Sequence, residues 1–125
     1  MSCTFCGVES SKFITETDLS FAIYDIHPVT KGHTLIIPKI HIENYFDLPY
    51  EYREDLFKHL NKVKEFLESE FSPCGYNIGI NVNRSAGQSV MHAHIHIIPR
   101  YIKHPVPKSM GVENVIIQQN KKNKL

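Results

Sequence analysis

Between Pro49 and Phe71 apolar residues recur at three- and four-residue steps. Tyr52, Leu56, Leu60, Val63 and Leu67 form one stripe, which predicts an amphipathic helix packed on a core. Asp47 is placed to cap its start, Pro49 suits its first turn, and Pro73 and Gly75 end it. Elsewhere the apolar runs are short. Ser20 to Tyr24, His33 to Ile37 (stopped by Pro38), Tyr76 to Val82 and Ser89 to Ile98 (closed by Pro99) read as strands, with Lys12 to Thr15 as a shorter one. Asp25 to Gly32, with Pro28 and Gly32, reads as a loop, and Asn83 to Gln88 as a turn. Two blocks of strands around one helix predict an α+β domain with an antiparallel sheet.

Composition narrows the class of protein. The chain has 125 residues, enough for one domain with its own core; residues 1–110 are taken as that domain and 111–125 as a C-terminal extension with a lysine-bearing, solvated tail. Fourteen Lys and Arg nearly cancel thirteen Asp and Glu, a net charge of +1, so there is no bulk field to hold nucleic acid. No apolar run approaches a membrane span, and the N-terminus does not read as a signal peptide. Three cysteines do not make a disulfide framework, so a reduced, cytoplasmic setting fits.

The unusual count is eight histidines, three of them within five residues. In a strand, alternate side chains share a face. His92, His94 and His96 would then line one face about 6.6 Å apart, with Met91, Ala93, Ile95 and Ile97 on the other as core. Three desolvated imidazoles are costly unless something compensates. Two chemistries fit: a metal site, since imidazole ligates zinc, and phosphoryl or nucleotidyl transfer, in which an imidazole attacks phosphorus and a neighbour manages the proton. The preceding turn favours the second. Gly87 allows close backbone approach, and Ser89 with successive N–H groups can meet phosphate oxygens.

Cys3-Thr4-Phe5-Cys6 is a C-x-x-C pair. A redox role is disfavoured because no strand precedes it and Gly7 follows it. As a metal site it supplies half of a tetrahedral shell, and two more ligands must come from elsewhere.

Gly87-Gln88-Ser89-Val90 followed by His92-Ala93-His94-Ile95-His96 resembles the histidine-triad superfamily of nucleotide hydrolases and transferases. Asp25-Ile26-His27-Pro28, the segment Gly32 to Lys39, and Asn81 are similar to that family's other signature positions, so the resemblance covers about residues 18–101. It implies an antiparallel sheet of about five strands with one long helix, commonly paired as a two-fold homodimer. His94 matches the nucleophile that forms a nucleotidyl-histidine at the α-phosphorus. His96 matches the histidine on the phosphate oxygens, and His92 the one that orients the others. Ser89 would sit near the leaving group. Asn81, Gly87, Gln88 and Val90 would line the phosphate and ribose region. Asp25 would grip ribose hydroxyls, Ile26 would pack near the base, and His33 would fix tautomers behind the triad. The resemblance also implies a structural zinc on Cys3, Cys6, His41 and His92, and no catalytic cofactor.

The implied activity is hydrolysis of a purine nucleotide derivative, either a dinucleoside polyphosphate or a nucleoside phosphoramidate. His96 stands where uridylyltransferase-like relatives carry Gln, which favours a hydrolase. Ser89 resembles the phosphoramidase branch, but the chain has no Trp to match that branch's C-terminal segment and its Pro99-Arg100-Tyr101 ending is more similar to the polyphosphate-cleaving members, so the resemblance leans toward polyphosphate cleavage. Two other readings remain: a nucleotide-binding adaptor with incidental hydrolysis, and a zinc-binding module without nucleotide, which leaves Asp25, Asn81 and Gly87 to Val90 unexplained. His27 and His59 are expected on the surface, His104 in a loop, Arg84 on a solvated turn, Arg100 in a structural role, and Cys74 as a plain thiol.

Overall fold

The computed structural model describes residues 3–103. The 110/111 boundary, the 111–125 extension and His104 lie outside the described residues. The elements in order are β1 (Thr15–Glu16), β2 (Ser20–Tyr24), β3 (Thr34–Pro38), α1 (Tyr50–Phe71), β4 (Gly75–Gly79) and β5 (Ile95–Arg100), with 3-10 turns at Ser10–Lys12, Tyr45–Asp47 and Arg84–Ala86. The strands form one antiparallel sheet in the order β1-β2-β3-β5-β4. The α+β expectation with one long helix therefore holds.

The two faces of the sheet do different work. Alternation sends Ala22, Ile36, Ile95 and Ile97 toward α1, where they pack with Leu56, Val63 and Leu67 of the helix stripe. Each of those helix side chains is at most 1% exposed, so each contributes roughly 1.5–3 kcal/mol of burial. Phe21, Leu35 and Ile37 point to the opposite face, where Phe5 and the N-terminal segment cover them. Phe13 stacks on Phe21 at 4.3 Å and fastens that segment over β2.

Several local expectations are corrected. Asp47 does not cap α1; it lies in a 3-10 turn capped by Asn44, whose Oδ1 accepts from the Phe46 N–H at 2.8 Å. Pro49 is the N-cap, and its carbonyl takes the Tyr52 and Arg53 N–H groups. The helix stops at Ser72, in the left-handed region at φ 52°, because Pro73 cannot continue it; Gly75 instead opens β4. Residues 10–12 form a turn rather than a strand, because the Lys12 N–H is spent on Glu9 at 2.9 Å and sheet pairing begins only with Ile14 to Ala22. Pro99 does not end its strand. It pairs with Tyr76, and its carbonyl faces the β3 side, where that ladder has run out and the Thr30 hydroxyl donates at 2.7 Å. Its missing N–H therefore breaks no ladder bond.

The largest correction concerns the histidine run. The segment expected to be strand from Ser89 bends at 90–92 and becomes strand only at Ile95. The His92 N–H turns back to Val90 at 2.9 Å, and the Ala93 N–H bonds Ile42 at 2.8 Å instead of β4. With no partner beyond His96, β4 also ends early, at Gly79.

Candidate functional site

The bend sorts the histidines. His94 and His96 line a cavity of about 860 Å³ on the sheet face opposite α1, and their rings are 4.9 Å apart. His92 does not line it. It points underneath, toward Cys3 and Cys6, and is 1% exposed.

Hydrogen bonds fix each tautomer, because a ring nitrogen that donates cannot also accept. His94 Nδ1–H donates to the His92 carbonyl at 2.7 Å. Its Nε2 therefore keeps a lone pair on the cavity side. His33 Nδ1 accepts the Val29 N–H at 3.0 Å, so its Nε2–H donates to His96 Nδ1 at 2.9 Å. His96 must then carry its proton on Nε2, a donor left free for a ligand. Asp25 stands 3.5 Å from His33 Nε2 and holds the His27 N–H at 2.9 Å. Burial favours the neutral imidazoles. It holds His33 down to about 4 against the opposing pull of Asp25, pushes His96 well below its ordinary value, and lowers His94. One uncharged lone pair and one N–H thus sit side by side at the cavity floor.

Gly87 forms the wall beside them at φ 98°, a backbone state that side chains rarely adopt. Its carbonyl accepts from Asn81 Nδ2 at 3.3 Å. Asn81, Gly87, Ser89, Val90, Asp25 and Ile26, the positions the resemblance singled out, all line the cavity. Gln88 does not: its amide is spent on the Asn83 N–H and on the Glu43 and Val90 carbonyls, so it braces the loop. His33 stands behind His96 rather than in the cavity. Phe5 was not anticipated as a site residue. It lies inside the cysteine pair and packs edge-on against His94 at 5.0 Å and His92 at 5.9 Å.

The second cluster is the cysteine group. Cys3, Cys6, His41 and His92 bring one ligand atom each within 4.8 Å of the others. His92 Nε2–H donates to the Pro38 carbonyl at 2.9 Å, which leaves Nδ1 as a lone pair facing 3.4 Å to Cys3 Sγ, 3.7 Å to Cys6 Sγ and 3.1 Å to His41 Nδ1. Cys6 Sγ is 3.4 Å from His41 Nδ1. A tetrahedral zinc with ordinary bond lengths needs N···N edges of about 3.3 Å and N···S edges of about 3.6 Å. The His41–His92 edge and the three Cys–His edges given above meet that requirement to within a few tenths of an ångström.

His27 is exposed, as expected, but His59 is not. It is fully buried between α1 and β2 because it falls within the helix stripe, between Leu56 and Val63, and finds polar partners there. Arg100 donates to Asn77 Oδ1 at 2.7 Å, a structural contact.

An antiparallel sheet backed by one helix, with neutral imidazoles on its open face beside a Gly-Gln-Ser-Val turn, defines the histidine-triad class of domain. The family model described as HIT domain matches residues 7–103, and the chain belongs to the HIT family. Protein hit of Bacillus subtilis is 42% identical over 106 residues, covering 82% of this chain and 73% of that protein. A bis(5'-adenosyl)-triphosphatase of Dictyostelium discoideum is 36% identical (80% and 69% covered), and an adenosine 5'-monophosphoramidase of Schizosaccharomyces pombe 38% (80% and 75%). Among solved structures, a HIT family protein of Bacillus anthracis superposes with TM-score 0.75 at 34% identity (98% and 96% covered). A Zn-bound histidine triad protein of Mycobacterium smegmatis gives 0.74 at 28% (98% and 95%).

Proposed function

We propose that this protein is a nucleotide hydrolase that cleaves a dinucleoside polyphosphate or a nucleoside phosphoramidate at the α-phosphorus. The observation that carries the reading is the His94 tautomer: Nδ1–H is committed to the His92 carbonyl, so Nε2 is an unprotonated nucleophile facing the cavity. In the first step a bond forms from His94 Nε2 to phosphorus, and the bond from phosphorus to the leaving oxygen or nitrogen breaks. Ser89, at the cavity wall, donates a hydrogen bond to that leaving atom, which is finally protonated from water. His96 Nε2–H stabilises the charge gathering on the phosphoryl oxygens. In the second step water attacks phosphorus, the phosphorus–nitrogen bond breaks, one proton is released, and a nucleoside monophosphate leaves. Asp25 takes the ribose hydroxyls and Ile26, exposed at the rim, packs on the base.

The relatives named as a triphosphatase and a phosphoramidase support both substrate classes. The ligand geometry and the Zn-bound relative support a structural zinc on Cys3, Cys6, His41 and His92, which would clamp the N-terminal segment to the bend that presents His94. The edge of β4, unpaired among the described residues and carrying half-exposed Ile78, is the surface we assign to a two-fold dimer.

The test is intact-protein mass spectrometry after rapid quench with diadenosine tetraphosphate or adenosine 5'-phosphoramidate. An adenylyl adduct is expected on the wild type and none on His94→Ala, with AMP released only by the former. Nucleotide binding with neither adduct nor AMP would overturn the reading and leave an adaptor.

A further inference from the structure

The cavity extends well beyond the histidines. It is lined by His94 and His96 at β5, Leu35 on β3, and Ile23 and Asp25 at β2, and the N-terminal segment covers it from Phe5, against His94, to Val8 and Lys12. Neighbouring strands lie about 4.8 Å apart, so β2 is roughly 10 Å from β5. That span accommodates a phosphate and its ribose, and a base held by that ribose reaches the N-terminal segment.

Among the described residues Lys12 is the only lysine or arginine lining the cavity, and it makes no ion pair with any of them. It closes the 3-10 turn Ser10–Lys12, and the next residue, Phe13, stacks on Phe21 of β2. This anchor places Lys12 at the β2 end, two strands from the imidazoles. The phosphates of a leaving group stay at the other end, beside Ser89.

Resting on the hydrolase reading above, we infer that Lys12 reads the base and gives this site a preference for guanine over adenine nucleotides. Guanine presents N7 and O6 as adjacent acceptors, whereas adenine presents N7 beside an amino donor. A lysine ammonium has only donors. It pairs with both guanine acceptors and meets a donor at the adenine amino group. Val8, Ile23 and Ile26 add apolar lining to the same cavity, and its one carboxylate, Asp25, is already engaged by the His27 N–H at 2.9 Å and lies 3.5 Å from His33 Nε2. Because Lys12 is exposed, the preference belongs at the low end for a two-acceptor contact, about fivefold.

The experiment is calorimetric binding of GMP and AMP to the full chain, wild type, Lys12→Met and Lys12→Arg. GMP is expected to bind the wild type about fivefold more tightly than AMP. Lys12→Met should erase that ratio with AMP affinity unchanged, and Lys12→Arg should keep it. Equal wild-type affinities, a ratio that survives in Lys12→Met, or equal weakening of both nucleotides (a phosphate contact) would each overturn the inference alone. Failure of both nucleotides to bind would overturn the hydrolase reading with it.

Discussion

The protein buries imidazoles on both faces of its sheet, and the two sets differ in what they leave unspent. Against α1, the Thr15 hydroxyl donates to His59 Nε2 at 2.7 Å, His59 Nδ1–H donates to Ser20 Oγ at 2.6 Å, and Ser20 donates to Asp55 at 2.6 Å. Thr17 adds a second hydroxyl to the same Asp55 oxygen at 2.8 Å. Every nitrogen of that ring is satisfied inside the protein. On the open face, His94 and His96 each commit one nitrogen to the protein and turn the other to the cavity. Burial does not separate the two, since His59 is 0% exposed and His94 5%. A Ser, a His and an Asp in hydrogen-bond reach make a closed brace when no ring atom faces space. Two histidines on a cavity with an open lone pair and an open N–H make, on the reading proposed above, a reactive pair.

The sharpest way to break this comparison is to remove the open donor. His96→Asn should lower kcat about 10²–10³-fold while nucleotide affinity changes little, because the lost hydrogen bond strengthens as charge develops in the transition state. Steady-state kinetics with diadenosine tetraphosphate would check it; a kcat within threefold of wild type would place His96 with His59 among the structural imidazoles. Metal removal should have a smaller effect. Elemental analysis should give one zinc per chain, and Cys6→Ser should lose it and about 10- to 100-fold in activity, because His92 supplies both a ligand atom and the carbonyl that orients His94. Full activity in zinc-free protein would uncouple the two clusters.

Much of this was legible from residue order. The apolar stripe located α1, and Ser20 to Tyr24 matched β2 residue for residue, because burial on one face imposes a periodicity that survives folding. Of the cavity group, Gly87, Ser89, His94 and His96 were legible from the alternation and the turn before it, whereas Asp25, Ile26, Asn81 and Val90 were legible only through family resemblance, since nothing local links Asp25 to His94. The bend at 90–92 was not legible: His-Ala-His-Ile-His alternates as a straight strand would, and the bond that diverts it, Ala93 to Ile42, joins segments 51 residues apart. Gln88 was misread for a similar reason, as its amide is held in part by the carbonyl of Glu43, 45 residues away. His59 did leave a signal. It stands three residues after Leu56 and four before Val63, inside the stripe, but its polarity masked the position because Ser20 and Thr15 are remote in sequence.

The smallest effect is expected at His59, and it appears in stability rather than rate. Burial holds its pKa at about 4, below the ordinary 6.5, with Asp55 opposing the shift. The unfolded chain therefore takes up a proton on this side chain at higher pH than the folded chain. The neutral ring's contribution is fully present above pH 6.5 and is lost as pH falls toward 4. For a single site this amounts to about 2 kcal/mol between pH 7 and pH 5. In His59→Asn the amide can still bond Ser20 but does not titrate. Urea unfolding should show the variant about 1–3 kcal/mol less stable at pH 7. The gap should narrow by about 2 kcal/mol at pH 5, because the other histidines and the metal ligands titrate alike in both proteins and cancel in the difference. Turnover at pH 7 should stay within about twofold, as surface-remote changes of this kind leave the reacting atoms in place. A gap that stays constant with pH would mean that His59 carries its proton in the folded state. A large loss of turnover in a folded variant would mean that the helix-side brace reaches through the sheet to the open face, and the division between the two sets of imidazoles would fail.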